Sequence, residues 1–136
     1  MGNTQGYVFD DSFTADGALA KYRVVVFSGI KKHVKYPAAQ DANAIAGVTQ
    51  EATSASGDRV LVRQMGKSKL EVAAAISSFG QPLRAYDVVG RVNVQNVAGG
   101  TGPWVSGDGI VGYNESLSTA SGDIVECWLG IRTLLG

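Results

Sequence analysis

The sequence has few of the side chains that carry chemistry. Its 136 residues include one cysteine, Cys127, and one histidine, His33. A single cysteine cannot form an internal disulfide, so the sequence gives no sign of an oxidising compartment. A single histidine argues against a histidine-based zinc site and against a Ser-His-Asp triad. We therefore expect no metal, no cofactor and no enzyme activity.

Excess charge and long apolar runs are missing as well. The 12 Lys and Arg residues balance the 12 Asp and Glu residues, so the basic excess of a dedicated nucleic-acid binder is absent. The longest apolar run, residues 72–76, is far too short to span a membrane. Residues 1–6 lack the basic and apolar regions of a signal peptide. We expect neither a nucleic-acid partner nor a membrane partner.

Glycine, by contrast, is abundant, with 18 residues, and it accompanies many valines, serines and threonines. This composition indicates short strands and tight turns. Residues 59–63 and 124–131 alternate apolar and polar side chains with a period of two, which is typical of half-buried strands. Residues 68–71 resemble a helix capping box, but Gly80 and Pro82 follow closely. We favour an extended segment there, with a short helix as the alternative.

An internal repeat organises the chain. Residues 45–60 recur as residues 110–125, with seven of sixteen positions identical and an unbroken Ala-Ser-Gly-Asp in both copies. Upstream, residues 19–25 are echoed by residues 83–89. Self-similarity of two segments at nearly the same offset indicates a duplicated unit of about 65 residues.

The repeat predicts an all-β fold, a small β-barrel or sandwich in which two pseudo-repeats share one core, because closure removes exposed strand edges. We place the pseudo-repeats at about 17–80 and 81–136, within a single β domain spanning 17–136. Residues 1–16 lie outside the repeat, and we interpret them as an extended N-terminal arm. Deleting this arm is expected to leave the barrel folded.

Three motifs were weighed for chemistry, and each has a structural interpretation that we favour. Residues 107–112 match G-x-G-x-x-G, but they enter a β-like segment, so we interpret them as turn glycines. Cys127 stands where the first repeat has Val62, which favours a small buried side chain over a reactive thiol. His33 lies among lysines, which favours a solvated basic strand over a catalytic base.

Charge is unevenly distributed although it sums to zero. Residues 1–20 hold three aspartates and no base, whereas residues 21–35 hold five bases and no acid. Complementary patches of this kind suit docking to a partner, although solvated surfaces carry them too. The candidate contact residues are the arm aromatics and three lysines: Tyr7, Phe9, Phe13, Lys31, Lys32 and Lys35.

The layout resembles the small capsid decoration (cement) proteins of tailed bacteriophages. Members of that family have an N-terminal arm and two similar β-halves, each with a Gly-Val, an Ala/Ser-rich and a Gly-Asp-x-Val stretch. The stretches that carry the resemblance are residues 16–27, 45–62, 70–94 and 109–129.

The resemblance implies a β-barrel-like homotrimer, made in the host cytoplasm, that binds the exterior of the expanded capsid in the virion. It would clamp neighbouring subunits of the major capsid protein, and the family implies no enzyme activity, cofactor or metal. One alternative is a head-fibre or carbohydrate- and host-surface-binding module that uses the loop around Trp104. Another, an all-β trimeric enzyme, is disfavoured because no convergent acid, base or metal set is visible.

Overall fold

A computed structural model describes residues 8–38, 44–94 and 109–133 of the protein. Within these ranges the chain forms nine β-strands and no helix, which confirms the all-β class. The strands are β1 (Phe9–Ala15), β2 (Val24–Phe27), β3 (His33–Lys35), β4 (Ile45–Thr49), β5 (Arg59–Glu71), β6 (Pro82–Ala85), β7 (Val92–Val94), β8 (Gly109–Asn114) and β9 (Ile124–Thr133). Residues 68–71 are extended, as favoured, and belong to β5.

The first five strands close into a barrel. They are hydrogen-bonded in the order β1-β3-β2-β4-β5, and β1 also pairs with β5. The β1–β3 pair is parallel and the other pairs are antiparallel. The interior of this first barrel is filled by Phe13, Ala15, Leu19, Val25, Val34, Ala46, Val60 and Val62.

Strand β5 continues past the first barrel and starts a second set of five strands. Its second half pairs with β9, and the order continues β9-β8-β6-β7. Val72, directly after β5, bridges Val92 of β7 in parallel, and this bridge closes the second barrel. Its core holds the apolar residues Leu70, Val72, Ile76, Leu83, Ala85, Val92, Val111, Val125, Cys127 and Leu129.

Strand β2 is buried on both faces. Val25 packs into the core of the first barrel, while Val24 and Val26 belong to the second core. Its first three residues, the valines 24–26, are all buried, which fits a strand segment that is covered on both faces, whereas Phe27 at its end is exposed. Strand β4 is divided in the same way, with Ala46 in the first core and Ile45 and Val48 in the second. The two barrels therefore share β5 and pack against each other through β2 and β4.

The structure differs from the predicted N-terminal arm. Residues 9–15 form β1, which pairs with β5 and carries Phe13 and Ala15 into the core of the first barrel. The segment has few apolar residues, but two of them face inward, and the pairing with β5 removes an edge that the barrel would otherwise expose. Deletion of residues 1–16 would remove this strand, so from the structure we expect the deletion to destabilise the barrel.

The echoed Ala-Ser-Gly-Asp segments form the same turn twice. Gly57 has φ +97° and Gly122 has φ +95°, a conformation that favours glycine. Asp58 Oδ2 accepts hydrogen bonds from the N–H groups of residues 54 and 55, and Asp123 Oδ2 accepts them from residues 119 and 120. These hydrogen bonds lower the pKa of both aspartates.

Strand pairing also shows which residues correspond upstream of these turns. Leu19 bridges Thr53 as Ile76 bridges Ser118, and Val25 pairs with Gly47 as Leu83 pairs with Gly112. Leu19 and Leu83, matched by the second sequence echo, therefore do not occupy corresponding positions. The limits of the pseudo-repeats, 17–80 and 81–136, stay a prediction.

Candidate functional site

An open groove runs along β5 where the first barrel adjoins the second. Its volume is about 320 Å³. The residues that line it carry polar or charged groups: Tyr22, Gln50, Arg63, Lys67, Ser68, Lys69 and Glu126. Strand β5 supplies four of these residues, because it passes from one barrel to the other at this point.

Hydrogen bonds fix the floor of the groove. Gln50 Nε2 donates to Ser68 Oγ over 2.9 Å and to the Val48 carbonyl over 3.2 Å. Arg63 donates to both carboxylate oxygens of Asp10, over 2.7 and 3.0 Å, and to the carbonyl of Lys67 over 2.8 Å. The Asp10 hydrogen bonds raise the pKa of Arg63. Arg63 thus ties β1 to β5, and its charge is largely used within the chain.

Tyr22, at one side of the groove, has a backbone conformation that is unusual for its residue type. Its φ is +64°, and its N–H donates to the Thr49 carbonyl over 2.9 Å. The corresponding residue of the second barrel is Gly80, with φ +72° and an N–H that donates to the Asn114 carbonyl over 3.0 Å. A non-glycine residue there costs about 1–2 kcal/mol. The first barrel therefore carries an aromatic ring where glycine would form the turn without strain.

Lysines surround the Tyr22 ring. The ammonium of Lys21 lies 5.4 Å from the ring centroid and that of Lys69 lies 6.0 Å from it. Neither lysine forms an ion pair with another residue in the described ranges. This end of the groove therefore combines one ring with two positive charges, an arrangement that attracts carboxylates.

The outer surface next to the groove carries exposed apolar side chains. Trp128 of β9 is 41 % exposed and pairs laterally with Tyr113 of β8 on one side and Lys67 of β5 on the other. One row further along β5, Met65 pairs with Phe9, and these two are 55 % and 51 % exposed. We call these five residues the aromatic face.

The aromatic face is held in place by the sheet beneath it. The ammonium of Lys67 lies 5.6 Å from the centroid of the Trp128 ring and 3.4 Å from a carboxylate oxygen of Glu115. The pairing of β1 with β5 shifts in register between Phe9 and Asp10, and this shift places both of these residues on the outer surface. There Phe9 lies next to Met65. Contiguous exposed apolar side chains with a polar rim are typical of protein interaction sites.

The predicted contact residues fall into different environments. Phe9 belongs to the aromatic face, whereas Phe13 is 3 % exposed and lies in the core, so it is not available as a surface anchor. Tyr7 lies outside the described residues, as does Trp104. The aromatic anchors expected on one arm are thus divided between a surface and a core.

The predicted basic patch is partly neutralised by the chain itself. Lys32 donates to Asp11 over 2.5 Å and its ammonium lies 4.4 Å from the centroid of the Phe13 ring. The Lys32 hydrogen bond lowers the pKa of Asp11. Lys31 and Lys35 are exposed, and neither forms an ion pair with another described residue. Two of the three predicted lysines therefore remain open to a partner.

His33 has a partner on the preceding segment. Its Nδ1 lies 2.6 Å from Asp16 Oδ1, and this contact lowers the pKa of Asp16. The acidic and basic segments of the sequence thus contact each other in the fold, and much of the charge expected to serve docking stabilises β1 and β3 instead.

Cys127 is fully buried in the second core, so its interpretation as a small buried side chain is confirmed. Its Sγ donates to the Ser68 carbonyl, and burial raises the pKa of its thiol to about 12. Gly112, the last glycine of the G-x-G-x-x-G match, lies in β8 rather than opening a helix. A Cβ at Gly112 would lie 1.9 Å from the Trp128 carbonyl oxygen, so this glycine serves the close approach of β8 and β9.

Sequence reasoning missed Trp128, Met65 and Tyr22. The signal for Trp128 was present, because alternation puts it opposite Val125, Cys127 and Leu129, which face the core. No local signal marks Tyr22, because its role depends on the turn that β2 and β4 form together.

Within the described ranges, no group of three or more His, Cys, Asp or Glu side chains is placed to hold a metal ion. No helix there is long and apolar enough to cross a membrane.

Comparisons with known proteins found a likeness in structure but none in sequence. No protein-family model and no curated protein sequence matches the chain. The fold is similar to the crystal structure of the head fiber gp8.5 N base in bacteriophage phi29, with a TM-score of 0.65 and 15 % sequence identity. The alignment covers 96 % of this chain and 99 % of that chain. At this identity the likeness shows the fold, and it agrees with the predicted all-β barrel class.

Proposed function

We propose that this chain is a structural protein of a bacteriophage head. In this proposal it is a decoration (cement) protein that binds the outer surface of the expanded capsid and clamps neighbouring major capsid subunits, as a homotrimer. The observation that carries the proposal is the fold shared with a phage head fiber base over nearly the whole length of both chains. The sequence resemblance to decoration proteins, found independently of that structure, supports the same class.

The aromatic face is the surface that we assign to the capsid contact. Tryptophan, tyrosine and methionine are enriched at protein interfaces, and a few such residues carry most of the binding energy. The face lies on the paired strands β1, β5, β8 and β9, so its side chains need little ordering when a partner binds. Lys67 and Glu115 at its edge supply charges of both signs for a polar rim.

Stabilisation of the shell by a clamp is a consequence of the linkage between binding and assembly. A protein that binds two neighbouring subunits of the intact shell, and binds separated subunits less well, stabilises the shell in proportion to its occupancy. No enzyme activity, cofactor or nucleic acid enters this mechanism.

A second candidate is the base of a head fibre, which would attach to the capsid and carry a further protein outward. It is favoured by the fact that the similar structure is itself described as a head fiber base. The carbohydrate-binding variant of this candidate depends on the loop around Trp104, which lies outside the described residues.

The test uses expanded shells assembled from the major capsid protein encoded alongside this chain. Purified protein is mixed with the shells, and bound protein is measured by co-sedimentation and located by cryo-electron microscopy. We expect saturable binding and density on the outer surface. A chain that stays in the supernatant at all concentrations would refute the proposal.

Point variants test the surface. Trp128→Ser should weaken binding about tenfold or more, as for an interface hot spot. Phe79→Ser is the matched control, because Phe79 is 67 % exposed and lies outside the aromatic face, and it should bind within about twofold of wild type. If the double variant Lys31→Gln/Lys35→Gln loses binding while Trp128→Ser does not, the contact lies on the basic patch and our assignment is wrong.

Heating the shells distinguishes the two candidates. A clamp raises the temperature at which the shell disrupts as occupancy increases, whereas a fibre base leaves that temperature unchanged.

A further inference from the structure

The second barrel has a depression at one end. Its volume is about 360 Å³. The lining comes from the segment after β5 and from the ends of β6 and β7: Ala75, Ile76, Ser77, Ser78, Gln81, Asn93 and Val94. None of these residues lines the groove described above.

Strand pairing identifies the corresponding place in the first barrel. Ala15 pairs in parallel with Val34, as Val72 does with Val92. The N–H that follows each of these pairs donates to the carbonyl of the valine, from residue 16 to Val34 over 2.9 Å and from residue 73 to Val92 over 2.8 Å. Two residues beyond each valine stand Tyr36 and Val94, which therefore correspond.

Tyr36 and Val94 have the same place but different sizes. Each is partly buried and packs against the core of its own barrel. The Tyr36 hydroxyl accepts a hydrogen bond from the N–H of Ala20 over 2.7 Å, so the phenol ring covers the segment next to Leu19. Val94 has neither a ring nor a hydroxyl, and it lines the depression.

The backbone donor of the missing hydrogen bond is present. Leu19 and Ile76 correspond through their bridges to Thr53 and Ser118, so Ser77 follows Ile76 as Ala20 follows Leu19. No residue in the described ranges accepts a hydrogen bond from the Ser77 N–H. Val94, which is partly buried, supplies an apolar wall, and Gln81 and Asn93 supply a polar rim, while Ile76 is 1 % exposed and belongs to the core beneath.

We propose that this depression is a socket for a tyrosine side chain of a partner protein. The ring would pack on Val94, and its hydroxyl would accept a hydrogen bond from the N–H of Ser77, as Tyr36 does with Ala20 within the chain. The available volume is sufficient, since an apolar cavity of about 150 Å³ already accepts benzene. This inference does not depend on which partner the proposed function names.

The test titrates the full chain with p-cresol, the side-chain analogue of tyrosine, and follows backbone amides by two-dimensional NMR. We expect saturable shifts at residues 76–78 and 93–94, with a dissociation constant on the order of 1 mM for so small a ligand. Toluene, which lacks the hydroxyl, should bind about fivefold more weakly because it leaves the Ser77 N–H without an acceptor.

Two substitutions exchange the residues at the corresponding positions 36 and 94 of the two barrels. Val94→Tyr should fill the socket and abolish the p-cresol shifts at residues 76–78. Tyr36→Val should open a second socket, seen as new p-cresol shifts at Ala20. If Tyr36→Val does not fold, the Val94→Tyr and toluene measurements still decide the question.

Several outcomes would overturn the proposal. It fails if p-cresol shifts no amide of the depression, or if Val94→Tyr binds p-cresol as wild type does. Binding of p-cresol without binding of N-acetyl-tyrosinamide would mean that the site takes a small phenol but not a tyrosine on a peptide chain. Binding of both compounds at residues 76–78 supports the socket.

Discussion

Replacing Phe13 by alanine tests whether residues 9–15 belong to the wall of the first barrel. Phe13 is 3 % exposed, its ring centroid lies 6.0 Å from that of Phe27, and Lys32 lies over its face. Truncating a buried phenylalanine costs about 3–5 kcal/mol. The unfolding entropy of a chain of this length is about 0.3 kcal/mol/K, so Phe13→Ala should lower the melting temperature by about 10–17 °C.

The measurement is thermal unfolding followed by circular dichroism, with Phe79→Ala as the control. Phe79 is 67 % exposed, and its truncation should change stability by no more than about 0.5 kcal/mol, or about 2 °C. Deleting residues 1–16 removes the whole of β1 and should abolish the cooperative transition, whereas a deletion that ends before Phe9 should retain it. If Phe13→Ala and Phe79→Ala melt together, residues 9–15 are an arm in solution and the barrel as described is wrong.

Two further substitutions test the close strand contact and the recurrent turn. Gly112→Ala should lower the free energy of unfolding by about 3 kcal/mol, because the new Cβ would meet the Trp128 carbonyl oxygen. Gly130→Ala is the control: no atom lies within 4 Å of its Cβ, so it should lower that free energy by less than about 1 kcal/mol. Both values are measured by chemical denaturation. Equal losses would contradict the packing of β8 on β9. Asp58→Asn/Asp123→Asn should lower the melting temperature at pH 7, because these carboxylates accept backbone hydrogen bonds and their pKa values are lowered in the folded state. A carboxylate whose pKa is lowered in the folded state stabilises the fold above its unfolded pKa of about 3.9, and this contribution is lost as the pH falls through the folded pKa. The difference in melting temperature between wild type and variant should therefore narrow between about pH 5 and pH 2. A difference that does not depend on pH would exclude the carboxylate charge as its source.

Features set by neighbouring residues were predictable from the sequence. Alternation identified the inward faces of β5 and β9, because side chains of a strand point to opposite sides in turn. The Ala-Ser-Gly-Asp turns were predictable for the same reason: glycine supplies the positive φ and aspartate caps nearby N–H groups within four residues.

Features set by distant residues were not predictable. Strand β1 has a mainly polar sequence. Its pairing with β5, some fifty residues away in the sequence, is what shows that Phe13 faces a core. The acidic and basic segments were expected to contact a partner protein. In the structure Asp11 instead contacts Lys32, and Asp16 contacts His33, within the same chain. The sequence similarity of residues 19–25 to residues 83–89 aligned Leu19 with Leu83. The bridges between strands instead show that Leu19 corresponds to Ile76.

The shared strand β5, together with β2 and β4, which are buried between the two cores, makes the two barrels one cooperative unit. Arg23, beside β2, donates to Glu71 at the end of β5 over 3.1 Å and to the Val89 carbonyl over 2.9 Å. A Cβ at Gly90 would lie 2.4 Å from the Val24 carbonyl oxygen, so the loop before β7 is packed directly on β2. Separating the barrels would expose Val24 and Val26 and leave β5 without half of its neighbours. A partner that contacts both the aromatic face and the socket would therefore meet two sites whose relative placement is already set by the fold, and the second contact would add affinity without the entropy cost of ordering a linker.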